Sequence, residues 1–251
     1  MKLKEIKKSN LIFMDEAPEN EIKKIIHKIE KKPITSYYKF SLIGNTENDV
    51  EKDDLGYMVE YDKVKFYKKN KVYAYDAYGK MNNSIINMNI AFNAEYPFNL
   101  IYASSTLKEE DKIITSNDLF YEKDELISHI YNKGTSTKIN QGKVIFSIGH
   151  FLAPDIWVNS NKRKKGDNKQ FMQIDLETGN FVQENHEILN IENIECRKTT
   201  NLIRSFDYEQ GYEKDMIMIR NKKKLIEYIM PDDQISAKLV KKSEIFPKII
   251  N

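Results

Sequence analysis

The sequence predicts an α+β fold: a predominantly antiparallel β-meander, forming a curved sheet or half-barrel, with an N-terminal amphipathic helix packed on it. Three observations carry this reading. First, apolar and polar residues alternate with period two from Gly56 to Lys80, with Val64 and Phe66 on one side and Lys63, Lys65 and Tyr67 on the other. Lys68 to Lys71 make a polar turn and Val72 to Ala77 repeat the alternation, which describes a hairpin with one face in a core. Second, such runs far outnumber helical ones and do not alternate with them, which argues against a doubly wound parallel sheet. Third, Ile22, Ile25, Ile26 and Ile29 form one apolar stripe at helical spacing.

That stripe places a helix over Pro18 to Lys32. Glu19 and Glu21 in its first turn and Lys28, Lys31 and Lys32 in its last complement the helix dipole, and Pro33 ends it. Ile34 to Ile43 alternates as a strand. Gly44 to Asp54 is a polar loop. Strands follow at Ser84 to Phe92 and Phe98 to Ala103, and Thr106 to Glu109 resembles a capping box. Asp118 to Lys133 reads as a second helix, with Leu119, Leu126, Ile127, Ile130 and Tyr131 apolar and Gly134 as its C′ residue. The remaining strand candidates are Lys143 to Gly149, Asp155 to Asn159, Gln170 to Leu176, Asn180 to Val182, Asp215 to Ile219 and Leu225 to Met230. Pro231-Asp232 is a start signal for a short last helix.

The expected organisation is an N-terminal arm over 1–17 followed by a single α+β domain over 18–251. Two lobes, 18–134 and 143–251, are the other reading, with Gly134 to Gly142 as the linker. The chain of 251 residues is long enough to bury a sizeable core in either case.

Composition limits the function classes. With 40 Lys and Arg against 38 Asp and Glu, the formal charge is +2, so no global field draws the chain to nucleic acid or an anionic membrane. Cys196 is the only cysteine, which rules out an intramolecular disulfide and a cysteine metal cluster. No run approaches the roughly 20 apolar residues of a membrane span, and Leu11 to Met14 is too short for a signal core. The expected compartment is the cytoplasm, unless a leader has been removed. No cofactor is implied.

Of the four histidines, His27 and His129 fall on predicted helices, and His186 lies in a polar segment that reads as surface. His150 differs. It lies in Ser147-Ile148-Gly149-His150-Phe151-Leu152-Ala153-Pro154-Asp155, where a strand end followed by Pro-Asp would set an imidazole and a carboxylate on one rim. Asp175 and Glu177 complete an acidic set of the kind a metal-dependent nuclease or phosphodiesterase uses. The restriction-nuclease pattern is broken, however, since no lysine follows two places after Asp175 or Glu177. The simpler account of the segment is a turn between two buried strands.

Two basic loops, Lys162 to Lys165 and Arg220 to Lys224, sit at predicted hairpin tips. Arg163, Lys164, Lys222 and Lys223 there are candidate contacts for a phosphate backbone, and equally the lysines that keep strand edges unpaired. Tyr37, Tyr67, Tyr73 and Tyr75 are expected on strand sides opposite the core, where tyrosine supplies contact area for a partner.

The leading functional expectation is a non-catalytic binding module that recognises a protein partner or an amphipathic ligand, through a tyrosine-lined sheet face or an apolar cleft. The alternatives are the metal-dependent phosphodiesterase centred on His150 and Asp155, and nucleic-acid binding through the basic loops.

Overall fold

The computed structural model describes residues 4–7, 16–42, 54–159, 163–174, 181–194, 198–205, 216–221, 224–230 and 234–246. Its elements in chain order are β1 (Lys4–Lys7), α1 (Glu19–Lys31), β2 (Ile34–Leu42), β3 (Asp54–Tyr67), β4 (Asn70–Met81), β5 (Ser84–Asn93), β6 (Leu100–Glu109), β7 (Lys112–Glu122), β8 (Glu125–Asn132) and β9 (Thr135–Gly142). They continue with α2 (Ile148–Val158), β10 (Asn168–Ile174), β11 (Phe181–Ile194), β12 (Lys198–Ser205), β13 (Met216–Asn221), β14 (Lys224–Met230), β15 (Ile235–Val240) and α3 (Lys242–Ile245). The expected antiparallel meander is present, and helices are few.

The chain divides into two compact units. The first comprises residues 1–35, 60–153 and 172–181. Its strand order is β1-β9-β8-β7-β6-β5-β4, followed by the later residues of β3. Every neighbouring pair from β4 to β9 is antiparallel, and β1 alone joins in parallel, with Lys4 opposite Thr137. The second unit comprises 36–59, 154–171 and 182–251. There the early residues of β3 are followed by β2, β15, β14, β13, β12, β11 and β10. Its core includes Tyr38, Trp157, Phe171, Ile188, Met218 and Ala237.

The meander of the first unit is built on two-residue turns with left-handed backbone. Lys68-Lys69, Glu110-Asp111, Lys123-Asp124 and Lys133-Gly134 all have positive φ at both positions. That is the type I′ turn, whose twist matches the right-handed twist of the paired strands. Three of the four lack the glycine that normally marks it.

This corrects the reading of residues 118–133. They are not a helix but the end of β7, a turn at Lys123-Asp124, and β8, with Glu122 opposite Glu125 and Leu119 opposite Ser128. Leu119, Leu126, Ile127 and Ile130 fit a helical stripe by spacing, yet once the turn is inserted Leu119, Leu126 and Ile130 share one face of two strands and the buried Ile127 lies on the other. Thr106 likewise lies within β6, and residues 135–142, read as linker, are β9.

α1 matches its prediction. Ile22, Ile26 and Ile29 are buried, and burial of each such side chain contributes on the order of 2 kcal/mol. Its C-terminal turn lies beside the start of β4, where Lys71 Nζ donates to Glu30 at 2.6 Å. Residues 143–159 differ from expectation more sharply. Instead of two strands they form an extended segment and then α2, apolar nearly all round, as a helix sunk in a core must be.

Candidate functional site

His150 lies in the first turn of α2, and its surroundings explain it. Ser147 precedes the helix, and its Oγ accepts from the Gly149 N–H at 3.0 Å, the standard N-cap bond. Three residues on, His150 Nδ1 accepts from the Ser147 backbone N–H at 3.2 Å. The return arm is that of a capping box, with histidine in the place of glutamate or glutamine, while the serine arm reaches the N2 amide instead of N3. Ser147 Oγ donates to the Glu16 carboxylate, and Ala17 N–H donates to the Gly149 carbonyl at 3.1 Å. The imidazole is buried and stacks on Phe146 at 5.6 Å. Burial, the larger cause, pushes its pKa below the ordinary 6.5, and Glu16 pulls it the other way. A neutral ring is what the cap requires, because Nδ1 must accept.

Ser147, His150 and Glu16 are the residue types of a nucleophilic triad in the wrong arrangement. Ser147 Oγ lies 3.1 Å from His150 Nδ1, but the hydroxyl donates to the carboxylate, and Ser147 is itself buried. A triad needs serine donating to histidine and the acid holding the second ring nitrogen.

The segment that delivers this cap is held by Tyr121, whose hydroxyl donates to the Val144 carbonyl at 2.9 Å and accepts from the Phe146 N–H at 3.0 Å. Burial raises the pKa of that phenol. Pro154 sits inside α2 and has no N–H to give the carbonyl of His150 four residues back. The Gln173 side chain supplies the missing donor at 3.1 Å.

Asp155 is exposed and forms an ion pair with Arg220, which is buried. Five residues apart on one helix, His150 and Asp155 are separated by about 140° around its axis. The expected shared rim is therefore not formed. Asp175 and Glu177 lie outside the described residues. Among the described residues no three of His, Cys, Asp and Glu group as metal ligands.

The tyrosines also move. Tyr73 is 1% exposed, and its hydroxyl donates to Asp62 at 2.5 Å. Tyr75 is half-buried, donates to Glu60 at 3.1 Å and packs its ring on Phe151 of α2 at 5.7 Å. The two stand on the α2-covered side of the sheet, not on the solvent side as expected. β4 buries Val72, Tyr73 and Ala74 in succession, so both its faces are covered there and alternation cannot say which is inner. Tyr37 is half-buried and Tyr67 is exposed.

Arg163 is not offered to a phosphate. Its Nε donates to the Trp157 carbonyl at 3.0 Å near the end of α2, and its guanidinium lies 4.8 Å from the Trp157 ring centre. Lys164 is exposed, with its N–H on Asp167 at 2.8 Å. Lys222 and Lys223 lie outside the described residues. His186 is buried rather than surface, 2.9 Å from Glu184 and edge-on to Phe171.

The strand registers reveal a feature that the sequence reading missed. Along the face that carries Tyr73 and Tyr75, successive cross-strand rows are Tyr75-Ile90-Ala103-Leu119-Ser128, then Ala77-Met88-Ser105-Asn117-Ile130, then Gly79-Ile86-Leu107-Thr115. The row nearest α2 is almost wholly buried. In the rows beyond it Met88, Ile130, Ile86 and Leu107 are half-buried, while Ser105 and Asn117 between them are buried. Apolar side chains thus flank a polar floor.

No protein-family model matches the sequence, and no curated protein does. The fold is similar to the crystal structure of a β-barrel-like protein of a domain of unknown function, DUF1849, from Brucella abortus. The TM-score is 0.56 at 10% identity, over 83% of this chain and 96% of that one. At that identity the likeness carries the fold and nothing of the chemistry. Among the described residues no helix is long and apolar enough to cross a membrane.

Proposed function

We propose that the chain is a non-catalytic binding module that holds an amphipathic ligand against the sheet face of its first unit. The observation that supports this is the strip of half-buried Ile86, Met88, Leu107 and Ile130 set around the buried Ser105 and Asn117. Apolar walls with a few fixed polar groups are the usual make-up of a small-molecule site. The structural duties of His150 and Asp155 favour binding over the phosphodiesterase reading. Likewise, the folded-back Arg163 takes support away from nucleic-acid recognition through that loop.

Fluorescence titration with a long-chain anionic amphiphile that carries a dansyl group tests the proposal. Saturable one-to-one binding that Leu107→Lys weakens about tenfold is expected, since a buried charge must then face the chain. Ile86→Thr, a milder change, keeps the test valid if the lysine variant fails to fold. Unchanged affinity in both variants would refute this face as the site.

A further inference from the structure

We propose that one end of the first unit, led by the tip of the β3–β4 hairpin, docks on an anionic lipid surface. The tip is Lys65-Phe66-Tyr67-Lys68-Lys69-Asn70, and every one of these residues is exposed. Phe66 is 72% exposed and Tyr67 60%. Lys68 and Lys69 form the type I′ turn, so the rings and cations are carried on a defined ribbon.

Two further pieces of chain reach the same end. The connection from β5 to β6 is tied to the hairpin where Ala94 N–H donates to the Lys71 carbonyl at 2.8 Å, and Tyr96 in that connection is 73% exposed. The last turn of α1 is tied there by Lys71 and Glu30, and the exposed Lys31 and Lys32 follow. Three exposed aromatic rings are thus grouped with four or more lysines. Lysine 71 already neutralises Glu30, which leaves Glu95 as the exposed carboxylate of the connection.

Single exposed rings are ordinary, but rings and lysines concentrated at one end are the composition of an interfacial anchor. Aromatic side chains settle at headgroup depth, while the lysines meet lipid phosphates. A nucleic acid would use cations and rings too, but it favours a groove that tracks the backbone with stacking platforms along it. A hairpin tip led by a phenyl ring projects instead, which suits insertion. With an overall charge of only +2, attraction comes from this end and is salt-dependent.

Co-sedimentation of the whole chain with phosphatidylcholine vesicles, plain or doped with phosphatidylglycerol, tests this. The doped vesicles should be bound at least about tenfold more strongly, and added salt should reverse the difference. Phe66→Ser with Tyr67→Ser should abolish the partitioning. Lys68→Asn with Lys69→Gly should reduce it about tenfold while preserving the turn, as an unchanged or raised melting temperature would show. Equal binding to neutral vesicles, or variants that partition like the parent, would overturn the proposal. So would a chain that ignores vesicles yet binds single-stranded nucleic acid in a salt-sensitive way.

Discussion

The amide of Gln173 donates to the carbonyl of His150 at 3.1 Å, and this is the carbonyl that Pro154 leaves without its helical donor. A proline inside a helix ordinarily costs about 3 kcal/mol, partly through that lost bond. Here a residue of β10 restores it from outside the helix. Gln173→Ala should cost about 1–2 kcal/mol in urea unfolding. In a Pro154→Ala background the helix regains its own N–H, so the same Gln173→Ala change should cost markedly less. Equal costs in the two backgrounds would show that the two residues are not linked.

The capping role of His150 has a pH signature. Burial lowers the folded-state pKa below the unfolded 6.5, so below that value the unfolded chain binds protons more readily. The stabilisation is complete above 6.5 and is lost as the pH falls from there towards the folded-state pKa. His150→Gln should retain the cap, since glutamine accepts at that position, and should flatten this part of the pH–stability curve. A slope that persists in the variant would assign the titration elsewhere.

Gly149 is a helical glycine for which alanine should be harmful. Alanine normally stabilises a helix by up to about 1 kcal/mol relative to glycine. A Cβ at Gly149, however, would overlap the Cγ of Glu16. Gly149→Ala should therefore lower the melting temperature, and Glu16→Ala should restore the ordinary sign in the double variant. A stabilising Gly149→Ala in the parent would contradict the close approach.

The non-glycine type I′ turns predict the opposite behaviour. Lys69 and Asp124 have φ of 74° and 65°, a region that costs a side chain about 1 kcal/mol. Lys69→Gly and Asp124→Gly should each raise stability by some fraction of that. Neutral or negative effects on chemical denaturation would argue against left-handed backbone at these sites.

These turns also explain what was legible in the sequence. α1 and the β3–β4 hairpin could be read because a helical stripe and a period-two pattern both survive in the residues themselves. β7 and β8 could not, since Lys123-Asp124 is not a recognised turn pair and the flanking apolar residues happen to fit a helical stripe. α2 was hidden by Gly149 and Pro154, residues that normally end helices, and it is tolerated through a distant donor that no local window includes. His150 stood out by its neighbours, yet its role depends on Ser147 three residues earlier and Glu16 far along the chain. The apolar strip was invisible because it is defined by cross-strand register, which places Met88 beside Ser105 and Ser105 beside Asn117.

Methyl NMR of the chain labelled with carbon-13 at methionine tests the binding face most directly, because Met88 stands in the proposed strip and the buried Met218 belongs to the second unit. On addition of a long-chain amphiphile the Met88 methyl signal should shift and saturate near one equivalent, with the Met218 signal fixed. A stationary Met88 signal under saturating, one-to-one binding would contradict the account.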